Sequence, residues 1–179
     1  MKHEPMITPF GGVWPTVGAD VWIDPFVRLI GNVQIGPGAS IWPGSVLRAD
    51  ESEIVIGARS AVLDMCMIES PEGSPVIVAD DVLISHNACL HGAVVESGAL
   101  VGIGAIVLDG AVIGAGALVG AGAVVTPKTK IPPGMLALGQ PAKPIRPLKS
   151  AEAENIRRQL KALAEKAALY RAVSSSRNY

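Results

Sequence analysis

Aliphatic side chains return every six residues along most of this chain: Val17, Ile23, Leu29, Ile35, Ile41 and Leu47, then Ile56, Val62 and Ile68, then Val78, Ile84 and Leu90. After one five-residue step the series resumes at Val95, Val101, Val107, Ile113, Val119 and Val125. Glycine often follows the aliphatic position, as at Gly18, Gly36, Gly57, Gly102, Gly114 and Gly120, and a small residue such as Ala39, Ser45, Ala99, Ala105 or Ala117 commonly stands four further on. A period of six fits neither the 3.6 of a helix nor plain alternation continued indefinitely. It fits a short strand and a tight corner repeated, with glycine tolerating the backbone angles of the corner. Three such hexads close one triangular coil of a solenoid, so the eighteen hexads predict about six coils, each stacked on the next at the strand spacing of ~4.8 Å.

The repeat breaks between Leu47 and Ile56 and again between Ile68 and Val78, so RADESEIV and ESPEGSPVI are expected to leave the coil as loops. Loops on a rigid scaffold are where sites are usually built. After Pro127 the hexads are read as ending, and residues 131–148 form an irregular extension punctuated by Pro and Gly. A helix is expected from Ser150, with Ser150 as N-cap and Glu152 and Glu154 in its first turn. Ile156, Leu160, Leu163, Ala167 and Tyr170 make one apolar stripe along it. The domain reading is therefore a repeat domain with its extension over 1–149, a helix over 150–174 and a disordered tail over 175–179.

Composition adds limits to this picture. With 179 residues, 49% hydrophobic and 17% charged, the chain can bury a substantial core as one domain, and aromatics at 4% leave that core to Val, Ile, Leu and Ala. A net charge of -1 with no basic cluster in the first 140 residues offers no footprint for nucleic acid. The glycine-broken apolar stretch over 93–126 is not a membrane span, and the first ten residues carry no long apolar leader segment. Two cysteines, Cys66 and Cys89, make no disulfide framework and read as small buried hydrophobes. The expectation is a cytoplasmic protein with no nucleic-acid or membrane partner.

Chemistry enters through SHNACLHG, residues 85–92, which sets two of the three histidines five residues apart in an aliphatic run. In a three-sided coil, Arg48, Glu69 and His91 directly follow Leu47, Ile68 and Leu90 and stack in one column. Asp64 and His86, each two beyond Val62 and Ile84, stack in a second column on the preceding face. One chain therefore cannot easily bring His86 and His91 to one ligand. Three chains around a threefold axis can, through a heterologous contact that closes a ring. Glu69 and His91 of one chain then meet His86 of the next, and Arg48 meets Asp64 as an ion pair. Two imidazoles and a carboxylate with a fourth position open is a zinc-type catalytic set.

The same segments carry a resemblance. VLRADE (46–51), GARSAVLD (57–64), SHNACLHG, GAIVLDGAVIG (104–114) and IPPGMLALGQPAK (131–143) resemble the γ-class carbonic anhydrase-like hexapeptide-repeat proteins over nearly the whole chain. The resemblance implies the fold class: an all-β solenoid, a left-handed parallel β-helix with a C-terminal α-helix. It implies a homotrimer that binds zinc between adjacent subunits and interconverts CO₂ and bicarbonate, while the mixed nitrogen and oxygen donors here would also accept Fe²⁺ or Co²⁺. It places His86 and His91 at two of the family's three histidine positions, with Glu69 at the third. Arg48 and Asp64 fall at the family's inter-subunit salt bridge, and Glu51 at an acidic residue implicated in proton transfer. Ala61 and Leu63 stand where well-studied members carry an Asn and a Gln that orient the reacting species. A carboxylate in place of an imidazole also lowers the positive charge of a divalent site and its pull on a coordinated water.

Plainer readings stand beside these. Glu69 lies one coil from Arg48, so a simple ion pair accounts for it without metal. His86 and His91 also read as hydrogen-bonded interface residues, Glu51 as a solvated charge, and His3 as terminal and inert. At the level of function, a metal-dependent lyase competes with a noncatalytic trimeric scaffold and with a CoA-dependent acyltransferase of the kind other hexapeptide-repeat families contain.

Overall fold

The computed structural model of the chain describes residues 5–176. His3 and residues 177–179, three of the five expected to form a tail, lie outside that span; Ser175 and Ser176 close the helix. The chain winds as a left-handed parallel β-helix of about seven turns and ends in one helix. The first face stacks Met6–Thr8, the opening halves of Arg28–Ile35 and Val46–Ile56, then Met67–Glu69, Cys89–His91, Ile106–Val107 and Val124–Val125. The second stacks Thr16–Val17, the closing halves of the same two long strands, Val76–Val78, Val94–Val95, Val112–Ile113 and Lys130–Ile131. The third runs from Trp22–Ile23 through Ser40–Ile41, Ala61–Val62, Leu83–Ile84, Leu100–Val101 and Leu118–Val119 to Met135–Gly139, where antiparallel Ala142–Pro147 covers the edge.

The six-residue anchors lie directly above one another. Leu47, Ile68, Leu90, Val107 and Val125 are in register on the first face. On the third, Ile41, Val62, Ile84, Val101 and Val119 are. All ten are fully buried, and each such side chain removed from water contributes ~1.5–3 kcal/mol relative to an exposed one. The small residues beside them fit the corners, where a larger group would collide with the next coil. Buried corner serines are satisfied: Ser45 Oγ donates to Leu63 O at 2.8 Å and Ser60 Oγ donates to Ala79 O at 2.8 Å.

The winding departs from the sequence reading in two places. The winding includes further rungs at Ile7, Ile131 and Ala137. Pro132 and Pro133 do not stop it because they fall in a corner, where the missing N–H costs no ladder bond. RADESEIV is not a loop but part of the 11-residue strand Val46–Ile56. Gly31 faces Ala49 and Val33 faces Ile54, so residues 50–53 bulge opposite Asn32 within a strand that pairs on both sides. ESPEGSPVI does turn outward, through the Pro71–Ser74 turn.

Helix α1 (Ser150–Ser176) packs against the third face. Its cap sits one residue earlier than expected. Lys149 O accepts from Ala153 N, and Glu152 reaches back to the Lys149 N–H at 2.8 Å while Arg146 holds its carboxylate at 2.7 and 2.8 Å. Its stripe closes a second apolar cluster with Trp22, Trp42, Ala61, Leu63, Leu83 and Leu100. Tyr170 stacks on Trp22 with ring centroids 5.0 Å apart.

Candidate metal centre

The two columns flank the first face. Register pairs Arg48 with Glu69 and Glu69 with His91, so the three side chains stack where that face ends. Asp64 and His86 stack at the corner that enters it, and His86 Nδ1 lies 2.9 Å from Asp64 Oδ2. The chain turns between the histidines, at His86 and Asn87, before the strand Cys89–His91 begins, so the two rings lie on either side of that strand. Among the described residues of one chain, no set of three or more His, Cys, Asp or Glu gathers as a metal site.

Within the first column the contacts are dense. Arg48 Nη1 donates to Asp50 Oδ2 at 2.6 Å and Arg48 Nη2 pairs with Glu69 Oε1. Asp50, with Glu69 adding, raises the Arg48 pKa against the opposing effect of burial. The plain ion pair weighed for Glu69 is thus present in the single chain. His91 Nε2 stands 4.0 Å from the same Glu69 oxygen, and His91 Nδ1 lies 2.5 Å from Asp109 Oδ1.

Sequence reasoning missed Asp50 and Asp109. Asp50 Oδ1 is buried without a hydrogen-bond partner among the described residues. It borders a cavity of about 570 Å³ that Phe10, Val13, Asn32, Glu51 and Pro75 also line. Glu51 is exposed in the bulge, and its Oε2 accepts the Glu72 N–H at 2.9 Å, so it steadies the neighbouring turn rather than standing as a free charge. Asp109 was legible in principle: it lies two beyond Val107, as Gly92 lies two beyond Leu90, so the column count extended by one position sets it over Gly92.

Between the columns the outward surface of the first face is apolar and open. Met67 and Ile106 are each 37% exposed, with Met65, Ile103 and Phe26 at its entering corner more so. Cys89 is only half-buried there, unlike Cys66, whose thiol is pushed up to about 12, chiefly by burial. Burial also raises the Cys89 pKa, with Glu69 adding. Ala61 and Leu63 are buried in the cluster beneath α1, so neither position offers a hydrogen-bonding side chain to the surface.

Chemically the arrangement presents one carboxylate and one imidazole nitrogen at one edge of a face, and one imidazole at the other. Each ring has its Nδ1 near a carboxylate, leaving Nε2 as the atom that can meet a ligand. Such nitrogen and oxygen donors suit zinc, iron or cobalt.

Comparison with known proteins adds the following. Residues 15–49 match the bacterial transferase hexapeptide (six repeats) family. A carbonic anhydrase of Geobacillus kaustophilus is 40% identical over 172 residues, 96% of this chain and 94% of the relative. The mitochondrial γ carbonic anhydrase 2 of Arabidopsis thaliana is 37% identical over 157 residues, 84% of this chain and 56% of the relative. A Bacillus cereus crystal structure carrying a provisional acetyltransferase name superposes with a TM-score of 0.93 at 38% identity, covering 95% of this chain and 99% of that one.

Proposed function

Because the chain belongs to the γ-class carbonic anhydrase-like hexapeptide-repeat family, we propose that it assembles as a homotrimer that holds a divalent metal between subunits and catalyses reversible hydration of CO₂. Glu69 and His91 of one copy and His86 of the next are the proposed ligands. The observation that carries this reading is the placement of those residues at opposite edges of an exposed apolar face. A neighbouring copy that covers Met67 and Ile106 is the surface that would bring one edge against the other.

The donor set fits a divalent cation, Zn²⁺ first and Fe²⁺ or Co²⁺ as alternatives. When bound, that cation supplies the polarisation that makes water nucleophilic near neutral pH. The chain's own groups do the rest. Asp64 takes His86 Nδ1 and Asp109 takes His91 Nδ1, so each ring keeps its Nε2 for the cation. Arg48 holds Glu69 in the column and offsets part of its negative charge. Glu51, at the rim of the cavity beside Asp50, is the group proposed to pass the released proton to solvent. Without polar side chains at Ala61 and Leu63, the reacting water and CO₂ are oriented less strictly, and turnover is expected to be slow.

Metal content of the purified protein, its mass in solution, and stopped-flow CO₂ hydration test the reading together. Expected are a trimer, about one metal per chain, and metal lost in His86→Ala. Equal and negligible metal in both proteins rejects it. A trimer that binds without turnover is the second reading, favoured by the Arg48–Glu69 contact and by Ala61 and Leu63; it predicts no CO₂ hydration above background. Thermal stabilisation by acetyl-CoA would instead indicate acyl transfer.

A further inference from the structure

We infer that Asp109 is a positioning residue for His91: it fixes the imidazole as the tautomer protonated on Nδ1 and aims Nε2 at Glu69. This rests on the metal-site reading above and adds a residue to it. An ionised carboxylate only accepts hydrogen bonds, so the 2.5 Å contact requires the proton on His91 Nδ1. The neutral ring then has its lone pair on Nε2, which faces Glu69 Oε1 across 4.0 Å. In that form two acceptors face each other, which is the arrangement that a divalent cation held by Glu69 and His91 would need.

The backbone around Asp109 keeps this contact open. Gly92, next to His91, lies in the left-handed region at φ +57, and a Cβ built on it would come 2.7 Å from Asp109 Oδ1 and 2.8 Å from Ser74 Cβ. Only glycine suits both demands at that corner. Gly110 N donates to Gly92 O at 2.7 Å and Lys128 N donates to Asp109 O at 2.8 Å, tying the Asp109 turn to the coils on either side. The carboxylate is thus delivered by a rigid corner. It is half exposed, and it costs the fold little to remove.

The test uses full-length protein with Asp109→Ala and Asp109→Asn. Ring-nitrogen NMR of His91 in metal-free protein reads the tautomer, and chelator competition with Zn²⁺ or Co²⁺ reads affinity. Expected for wild type is a proton on Nδ1. Asp109→Ala shifts the ring toward the Nε2–H form and weakens metal binding by about 10–100-fold, as loss of an outer-shell partner does. Asp109→Asn, whose amide oxygen can still accept, falls between. An unchanged ring spectrum in Asp109→Ala, or a metal affinity equal to wild type, overturns the assignment. If wild type takes up neither ion, the metal reading fails by itself, since the ring spectrum still decides what Asp109 does to His91.

Discussion

The first and third faces of the prism are built on the same inward residues and differ in what they turn outward. Inside, Ile68 and Leu90 on one face match Val62 and Ile84 on the other, all fully buried. Outside, the third face carries Trp22, Trp42, Ala61, Leu83 and Leu100, and the chain's own helix covers them. The first face carries Met67, Cys89 and Ile106, open between two columns of titratable side chains. In a repeat protein the inward positions answer to the neighbouring coils, while the outward positions answer to whatever packs on them. One face has found its cover within the chain, and the other is left open, where the proposed assembly would seat a second copy.

The comparison breaks most sharply at Trp22. Its indole is 5% exposed beneath α1, against Trp42 and stacked on Tyr170. Trp22→Ala is expected to cost about 3–5 kcal/mol, as large aromatic truncations do, while Met67→Ala costs the isolated protomer under about 1 kcal/mol. Urea midpoints of the two variants measure the difference, and equal losses would mean that α1 contributes nothing to the third face. Interior truncation tests the shared half. Leu90→Ala and Ile84→Ala should each cost about 2–5 kcal/mol, one on either face. A variant that loses stability on one face alone would contradict a common interior.

The next effect is on assembly. A charge at Met67→Asp would have to be desolvated in the interface proposed to cover the first face, at a cost of a few kcal/mol. Light scattering should then find protomers with an intact β spectrum. A Met67→Asp protein that remains trimeric would show that a different face mediates assembly.

How much of this was readable beforehand follows from the same division. Inward anchors obey one rule from coil to coil, so the register of Leu47, Ile68 and Leu90 and the stacking of Arg48, Glu69 and His91 were legible as a count of hexads. The count failed where local chemistry mimicked an ending. The Pro- and Gly-punctuated stretch after Pro127 read as an end although Ile131 and Ala137 continue the pattern, and the charged segment 48–55 read as a loop although Ala49 and Ile54 turn inward from a strand. Asp109 stayed hidden because on the first face only the positions directly after the anchors were stacked, and its partner Gly92 has no side chain to announce a contact. Outward contacts such as Tyr170 on Trp22 join residues far apart in the chain, and no period links them.

The smallest expected effect concerns how the helix is fastened to the covered face. The Arg146 guanidinium, helped by the Lys149 N–H, holds the Glu152 carboxyl down from 4.5 to about 2. A carboxylate held low in the folded state binds fewer protons there than in the unfolded chain. Its contribution is therefore present above the ordinary value of 4.5 and is lost as pH falls toward 2. Tryptophan emission reports on this, since Trp22 and Trp42 lie under α1. Wild type should show an emission change between those limits that Arg146→Ala lacks, because without the guanidinium Glu152 titrates near its ordinary value and the helix start is already loosened at neutral pH. Chemical shifts of Ile106 and Met67 on the open face should not follow that difference. Were they to follow it as closely as Trp22 does, the two faces would respond as one unit, and the independence of covered and open surfaces would be lost.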